Sequence, residues 1–471
     1  MRQKFFAINL MVLGLMTRLG NATRFALTAA LLAPAAVHAQ QRLPDEHPLE
    51  RAVAEALRNS PALAQERSLE ERAESDVNVA RARYFPSLTV DGRYTEQEGT
   101  LNLGDFVNPA YRALNQITGE ARFPTDLDLT LPLRHESRLR LVQPVFDERI
   151  RAGHAASRFA RDGQSWQRRA AARRLAADAQ MALVRVASAR SARRILEAAV
   201  PLVRENERVS QRLVDAGQAT PDAVFSARAE RSDIEQQVLA AREGEHAAER
   251  SFNRILGRDL ETPIDELPDS LLQFPLTIDE EQAVASALER REELKQVDAG
   301  IGEARAGVRA ATAELLPSVS VALDYGVQGQ EIRFAGDTDF WAASVVFSWN
   351  VFDGGGDLAR RQGARADVNR LRERQRETED LIRLEVRQAH EAVVVACDAI
   401  ATAEARLAAA RRAFELVRRR HEEGVATQVE FLDARSRLTS AELGLSLANH
   451  GLALRWIDLE RAAALRELQE N

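Results

Sequence analysis

The chain has 471 residues, of which 29% are charged and only 5% are aromatic, and its formal net charge is −7. This composition favours long helices whose contacts are small and local. The acidic balance argues against nucleic acid as a partner. The only cysteine, Cys397, cannot form an intramolecular disulfide.

Residues 1–39 are predicted to be a secretory signal peptide. A basic start is followed by an apolar segment at 25–36 and by a small-x-small cleavage site before Gln40. Met16 is an alternative start, because the stretch from there is an ordinary signal by itself. The alternative for this segment is a single membrane anchor, although its apolar part is short for a bilayer span. Removal of 1–39 would leave 60 basic against 71 acidic side chains, a net charge of −11.

The first half of the chain is predicted to place two strands between helices. Helical periodicity over 49–83 ends at Pro86, and residue alternation then predicts a strand over about 87–95. Residues 96–135 are rich in Gly, Pro and Asn and predict a long loop. A second alternating segment predicts a strand over about 138–146.

A very long helix is predicted to follow the second strand. Its pattern runs from Asp147 towards Gly217, about 70 residues, which corresponds to roughly 100 Å of helix. Pro201 is expected to kink it locally. A return helix is predicted from Pro221 to about Leu256. No globular core needs helices of this length.

The second half repeats this plan after a proline-rich linker at 258–277. Its predicted elements are, in order, a helix over 279–315, a strand over about 318–328, a short loop over 329–338, a strand over about 340–351, a helix of about 70 residues from Asp353 to near Gly424, and a final helix towards the C-terminus.

Three landmarks recur in the same order in both halves. Residues 50–94 align without a gap on 281–325 with 16 identities in 45 positions, Val-Phe-Asp occurs at 145–147 and 351–353, and Gly-x-Ala-Thr occurs at 217–220 and 424–427. A repeat of roughly 200 residues is too long for a solenoid unit. The pattern therefore predicts two structural repeats, 40–278 and 279–471, with pseudo-symmetry inside one subunit.

The predicted strands have one apolar face with aromatic residues and one polar face. Tyr94, Tyr325, Trp341 and Trp349 are interpreted as a membrane aromatic belt. Four strands cannot close a barrel, and unpaired strand edges are excluded from a bilayer. The predicted fold class is therefore mainly α with a small membrane β part, in which three chains form a closed 12-stranded β-barrel, four strands per chain, with the long helices continuing beneath it.

The order and spacing of these motifs resemble the TolC family of outer-membrane channel proteins, over about 420 residues from Glu50 onward. The carriers are Pro-Ser at 86–87 and 317–318, the two Val-Phe-Asp motifs, the second of them extended by Gly354 and Gly355, the two Gly-x-x-Thr turns, and Asn-Arg-Ile-Leu-Gly at 253–257. The resemblance implies a homotrimer whose 12-stranded β-barrel spans the lipid of the outer membrane and continues into the periplasm as a long α-helical coiled-coil barrel. It also implies a passive exit duct served by a periplasmic adaptor and an inner-membrane transporter.

The two Gly-x-Ala-Thr turns are the predicted tips of the long hairpins. Gly217 and Gly424 permit the left-handed turn that ends a helix, and Thr220 and Thr427 can cap the next helix. The resemblance implies that these four residues dock the adaptor. A simple hairpin connection is the alternative.

An acidic pair just after the second tip is the candidate periplasmic gate. Glu430 and Asp433 are spaced i, i+3 and so share one helical face, and the resemblance implies an acidic pair at the inner constriction. Six such acids in three copies would select by charge and bind cations. In the first repeat the nearest acid is Asp222. The alternative is that Glu430 and Asp433 are first-turn acids favoured by the helix dipole.

Other candidate residues have structural interpretations. Asp147 and Asp353 are predicted to cap the helices that follow the strands. At the positions where a family member tightens its closed tip with tyrosine and arginine, this chain has His421 and Ala426. The eight histidines show no metal-ligand spacing. No nucleophile–base pattern is found, so neither an enzyme nor a cofactor is expected.

The leading functional prediction is the outer-membrane channel of a tripartite efflux system. Two alternatives share the channel class, namely the outlet of a type I protein secretion system and a metal efflux outlet. An exported coiled-coil scaffold without a pore is the alternative from another class, but it does not explain the two-faced strands.

Overall fold

The computed structural model describes residues 47–96, 101–128, 130–131, 134–268, 279–329 and 339–467. The predicted signal peptide lies outside these described residues, as do residues 269–277 of the linker and 330–338 of the short loop.

Nine helices form within the described ranges. They are α1 Pro48–Asn59, α2 Pro61–Ala82, α3 Gly104–Thr118, α4 Glu148–Asp215, α5 Pro221–Ile255, α6 Glu280–Arg290, α7 Glu292–Ala313, α8 Gly356–Glu422 and α9 Gln428–Ala462. Helices α4 and α8 have 68 and 67 residues, so each is about 100 Å long. Each packs against the return helix that follows it, α5 or α9. The α4 helix continues through Pro201.

Six strands form in the same described ranges. They are β1 Ser87–Tyr94, β2 Leu101–Asn102, β3 Thr130–Leu131, β4 His135–Phe146, β5 Ser318–Gly329 and β6 Asp339–Ser348. β1, β4, β5 and β6 form one antiparallel sheet in that order, and β2 pairs only with β3. The prediction of a mainly helical chain with four antiparallel strands is confirmed. β6 ends at Ser348, three residues before its predicted end.

The prediction of one long loop over 96–135 is wrong, because this segment contains α3. The side chain of Asn108 bonds both the N–H and the C=O of Leu127, at 2.9 and 2.8 Å. Asn115 does the same with Phe123, at 2.9 and 2.7 Å. These contacts explain the asparagine content that indicated a loop in the sequence.

The helices predicted over 49–83 and 279–315 are each broken into two. Ser60 is extended, with φ −64° and ψ 122°, because a residue before proline avoids the helical region. Arg291 aligns with Ser60 in the repeat and has nearly the same backbone, φ −64° and ψ 130°, without a proline after it. The side chain of Arg291 is buried and forms ion pairs with Glu293 and Glu385. Side-chain pairing therefore accompanies the second break.

The core lies where these broken helices pack on the long hairpins. One buried cluster joins α1 to α4, α5 and α9, and a second joins α6 and α7 to α8 and α9. Many of the buried residues are alanines, which allow close helix approach over a long distance. None of the helices in the described part of the chain is long and apolar enough to cross a membrane.

Candidate functional site

One face of the four-stranded sheet is apolar and exposed. Val90, Leu139, Tyr325 and Trp341 are directly opposite one another across the four strands, so they share a face. Trp341 is 77% exposed and all four are uncovered in the single chain. Tyr94, four residues after Val90, lies on the same face by alternation. An exposed apolar face of this kind is suited to contact with lipid.

The second tryptophan marks the other end of this face. Trp349 lies one residue beyond β6 and eight residues from Trp341. At about 3.4 Å per residue the two are roughly 27 Å apart, close to the ~25 Å height of the apolar band in outer-membrane barrels. The indole N–H of Trp349 donates to the C=O of Leu315 at 3.1 Å. Trp349 is therefore fixed where the sheet meets the helices.

The opposite face of the sheet carries charged side chains. Arg138 is opposite Asp91, and Arg140 is opposite Asp324. The closest nitrogen–oxygen distance is 3.5 Å in both pairs. Charged residues on one face and apolar residues on the other give the sheet a water side and a lipid side.

Two aspartates lie at the strand-to-helix junctions. Asp147 is the N-cap residue of α4, and its carboxylate accepts from the N–H of Arg149 at 2.9 Å. Asp353 lies two residues before the N-cap of α8, which is Gly355. Its carboxylate still accepts from the N–H of Asp357, at 3.1 Å. Both side chains thus bind the free N–H groups at the start of a long helix.

The two hairpin tips have the same C-terminal helix cap. Gly217 and Gly424 have φ of 70° and 73°, a conformation that glycine adopts without steric cost. The N–H of the residue after each glycine donates to a C=O in the last turn of the preceding helix. Gln218 donates to Leu213 and Val425 donates to Arg420, both at 2.8 Å. These bonds satisfy carbonyl groups that the helix end leaves open. The tips are therefore ordered turns.

The tips differ in how the return helix begins. Thr427 and Glu430 form a capping box, in which the N–H of Glu430 donates to Thr427 Oγ1 at 3.2 Å and the N–H of Thr427 donates to the carboxylate of Glu430 at 2.7 Å. The bond from Thr427 lowers the pKa of Glu430. Thr220 is the N-cap of α5, but its side chain makes no capping bond. Only the second return helix is capped reciprocally.

The three candidate gate acids lie in the first two turns of the return helices. Glu430 and Asp433 are on successive turns of α9, and Asp222 is in the first turn of α5. Asp433 is exposed and forms an ion pair with Arg437 at 3.0 Å. Glu430 is engaged in the capping box and Asp433 in this ion pair, so each carboxylate has a partner within α9 or its cap.

A buried arginine near the second tip was not found by the sequence analysis. Arg435 on α9 is 2% exposed. It extends into the seam between the two hairpins, where α9 meets α4 and α5. It lies 3.5 Å from Glu230 on α5 and donates to the C=O of Ala199 on α4 at 3.4 Å. Its Nε has no hydrogen-bond partner among the described residues. The repeat partner, Arg228, is exposed and bonds Glu207 within its own hairpin.

The electrostatics of this seam are dominated by burial. Burial raises the pKa of Glu230 above its ordinary value although Arg435 lies nearby, and burial lowers the pKa of Arg435. A well-solvated ion pair would shift both values the other way. The charge of Arg435 is therefore poorly hydrated in this seam, and separation of the hairpins would expose it to water.

His421, near the end of α8, packs against the start of α9 and the turn at the second tip. Its ring stacks on Phe431, with centroids 4.9 Å apart, and its Nδ1 lies 3.0 Å from the C=O of Ala426. Phe414 packs on the same Phe431 ring. Within the described ranges no group of three or more His, Cys, Asp and Glu side chains is placed to hold a metal ion.

A two-faced sheet with free edges, mounted on hairpins of about 100 Å, defines a class of protein: an outer-membrane channel that several chains complete together. The chain belongs to the outer membrane efflux protein family, whose model matches residues 52–258 and 283–465. The resemblance to TolC-type channels and the predicted outer-membrane location with a periplasmic extension are confirmed. The protein is an outer-membrane efflux channel.

Solved structures share this fold at low sequence identity. The CusC channel is 16% identical with a TM-score of 0.74, over 88% of this chain and 92% of that one. A membrane protein from Pseudomonas aeruginosa is 19% identical with a TM-score of 0.74, over 88% and 93%. The CmeC outer membrane channel of Campylobacter jejuni is 16% identical with a TM-score of 0.72, over 89% and 86%. A search of the curated proteins found no match.

Proposed function

We propose that three copies of this chain form the exit duct of a tripartite efflux system, which an inner-membrane transporter supplies through a periplasmic adaptor. The observation that carries this proposal is the sheet with two free edges, β1 and β6. Four antiparallel strands leave these edges running in opposite directions. β6 of one copy can therefore pair antiparallel with β1 of the next, and three copies close a barrel of 12 strands.

The hairpin tips are the proposed docking site for the adaptor. Gly217, Thr220, Gly424 and Thr427 hold two ordered turns at one end of the long helices. Exposed apolar side chains stand beside both turns, namely Phe225 at the first and Val425 and Val429 at the second. A partner that covers the tips would bury these side chains, and this burial supports docking.

The proposed gate consists of the acids at the start of the return helices and the seam above them. Asp433 and Glu430, with Asp222 of α5, would line the narrow end in three copies and attract cations. Opening requires α9 to separate from α4 and α5. Separation breaks the contacts of Arg435 with Glu230 and Ala199.

Single-channel conductance in planar bilayers tests both the duct and its gate. Wild type should give stable conductance that a divalent or trivalent cation blocks from the tip side. Asp433→Asn and Glu430→Ala/Asp433→Ala should weaken the block. Asp367→Asn is the matched control, because Asp367 is also an exposed acid paired within its own helix, on α8.

The outcomes separate the two parts of the proposal. Conductance with equal block in all variants would keep the duct and remove the acids from the gate. Loss of block with Glu430→Ala/Asp433→Ala but not with Asp433→Asn would assign the effect to Glu430 and its capping box. Folded protein that never conducts would refute the duct itself and favour a scaffold without a pore.

A further inference from the structure

The two halves of the chain pair their strands in the same register. Tyr94 is opposite His135 in the first half, and its counterpart Tyr325 is opposite Trp341 in the second. All eight residue pairs between β1 and β4 recur in the same order between β5 and β6. The sheet therefore assigns to each residue of β1 and β4 one counterpart in β5 and β6.

The helices that carry the sheet correspond in the same way. Residues 50–94 align without a gap on 281–325, so each position of α2 has one counterpart in α7. In the long helices, the separation from the tip residue Gly217 back to the buried Val186 equals that from Gly424 back to Val393. Because both helices are uninterrupted, α4 and α8 also correspond residue by residue.

One complete junction between the halves lies inside the chain, where α4 packs on α7 and β4 pairs with β5. Small residues bring the two helices close together. A Cβ on Gly163 would lie 3.7 Å from that of Ala299. Gly302 lies against the ring of Phe159, where a Cβ would approach to 2.5 Å. Ala299 and Gly302 are both buried.

The same positions are uncovered at the two outer edges of the chain. The helices lie in the order α2, α4, α7 and α8, so α2 and α8 are the outer members of the row. Ser68 and Glu71 on α2 are the counterparts of the two buried residues of α7, and Arg370 on α8 is the counterpart of Gly163. Ser68, Glu71 and Arg370 are all exposed. Each edge thus presents one half of a junction, and the opposite edge presents the other half.

We propose that the junction between copies repeats the internal junction position by position, with α8 of one copy lying on α2 of the next. The inference rests on the proposed trimer, in which β6 pairs with β1, and it assigns the residues that meet. Arg370 lies opposite Ser68 of the next copy and one helical turn from its Glu71. Val345 of β6 lies opposite Tyr94 of the next copy.

The faces of the strands agree with this register. Val345 and Tyr94 take the places of Leu139 and Tyr325, which are opposite one another in the internal junction. Val345 and Tyr94 are both exposed, and alternation places both on the apolar face of the sheet. A shift by one residue would bring apolar side chains onto the charged face. The inferred register therefore keeps the lipid side continuous from copy to copy.

Charge distinguishes the junction between copies from the internal one. At this level the internal junction holds glycine and alanine, whereas the junction between copies brings a guanidinium to a carboxylate. Within α8, Arg370 has an exposed ion pair with Asp367 at 3.5 Å, so its side chain can turn towards Glu71. Opposite charges on the two edges favour this orientation of the copies. The junctions between copies are thus polar where the internal junctions are closely packed.

Disulfide trapping tests the register. In a Cys397→Ser background, Ser68→Cys/Arg370→Cys would reproduce the internal Cβ–Cβ distance of 3.7 Å, close to the mean of about 3.8 Å in disulfides. Oxidation of the purified full chain with copper phenanthroline should give covalent dimers and trimers on a non-reducing gel. Ser68→Cys/Arg374→Cys moves one cysteine along α8 by about 6 Å and should link much less. Each single cysteine variant should stay monomeric.

An internal control shows that this geometry can be bridged, because Gly163→Cys/Ala299→Cys should close a disulfide within each chain. Suppose that native mass spectrometry shows a trimer and this control closes, but Ser68→Cys/Arg370→Cys stays monomeric. The copies would then meet through other positions. Stronger linking with Arg374→Cys than with Arg370→Cys would place the junction in a different register. Both results would overturn the inference and leave the trimer intact, whereas a monomer in native mass spectrometry would refute the proposed duct itself.

Charge exchange tests the contact between Arg370 and Glu71. Glu71→Arg should lower the temperature at which the trimer dissociates in detergent, because it brings like charges together. Glu71→Arg/Arg370→Glu should restore this temperature. The matched control Glu71→Arg/Arg376→Glu should not restore it, since Arg376 pairs with Glu373 within α8. Restoration by both exchanges, or an unchanged temperature in Glu71→Arg, would overturn the contact.

Discussion

Replacement of Glu230 by glutamine is expected to loosen the seam between the two hairpins. Arg435 is buried there, and Glu230 is the only acid within ion-pair distance of it in the described part of the chain. Glutamine keeps the size of the side chain but removes the charge. The guanidinium would then remain buried with only the C=O of Ala199 as a partner, at 3.4 Å.

The expected size of this effect follows from the geometry. Removal of one partner from a buried ion pair destabilises by about 3 to 5 kcal/mol when the other charge is left without compensation. The side chain of Glu230 is 23% exposed and lies 3.5 Å from Arg435, so solvent and distance reduce its contribution. We expect about 2 kcal/mol per chain, which corresponds to a roughly 30-fold shift from the packed towards the separated seam.

Single-channel recording measures this shift as a rise in conductance or in the time spent in the most conducting state. The matched control is Glu235→Gln on the same helix, because Glu235 pairs with Arg204 inside its own hairpin, at 2.9 Å. The double variant Glu230→Gln/Arg435→Leu should return to wild-type conductance, since no buried charge remains.

Equal conductance in wild type and Glu230→Gln, with both trimers intact, would show that the seam does not restrict the duct. If conductance rises as much in Glu235→Gln as in Glu230→Gln, the cause is the loss of a negative charge on α5 and not the buried arginine. A double variant with the same conductance as Glu230→Gln would also refute the reasoning, because the unpaired charge of Arg435 would then not be the cause of opening.

Three further predictions concern the second tip and the broken helix. Thr427→Val should destabilise its tip by about 1 kcal/mol, because the capping box is lost, whereas Thr220→Val should have almost no effect. Amide exchange at each tip measures both changes. Equal destabilisation of the two tips would refute the capping argument. Glu385→Gln should lower the free energy of unfolding by about 1 to 2 kcal/mol, since Arg291 is buried against it; an unchanged thermal midpoint would contradict this. Burial opposes ionisation of Glu385, but its arginine partners hold its pKa below 4.5. Its contribution is therefore present above pH 4.5 and lost as the pH falls through the lower value, and acid titration of stability should show this loss in wild type and not in Glu385→Gln.

Sequence periodicity predicted the long helices and the sheet because those patterns extend over many residues. The two faces of each strand could be assigned from alternation alone, and the register then placed Tyr325 beside Trp341. The tip glycines were predictable for a similar reason, because Gly217 and Gly424 adopt positive φ at the ends of helical patterns.

Two features depended on contacts that no local pattern contains. Asn108 and Asn115 favour a loop by composition, yet in the fold they bind a backbone segment that stabilises α3. Arg228 and Arg435 occupy equivalent places in the two repeats, but one is exposed and the other is buried between hairpins. Burial of one arginine depends on which helices meet, and the sequence of a single repeat does not specify this.

The division of the sheet between the two halves of the chain bears on how such a duct could arise. β1 and β4 come from the first half, and β5 and β6 come from the second. A single half present in six copies would supply the same 12 strands and six hairpins as the proposed trimer. Joining two halves in one polypeptide frees them to diverge, and here only the second has the capping box and the buried arginine. In the proposed trimer the α8–α9 hairpins alternate with the α4–α5 hairpins around the ring. The α8–α9 hairpins can then move to close the duct while the α4–α5 hairpins stay in place.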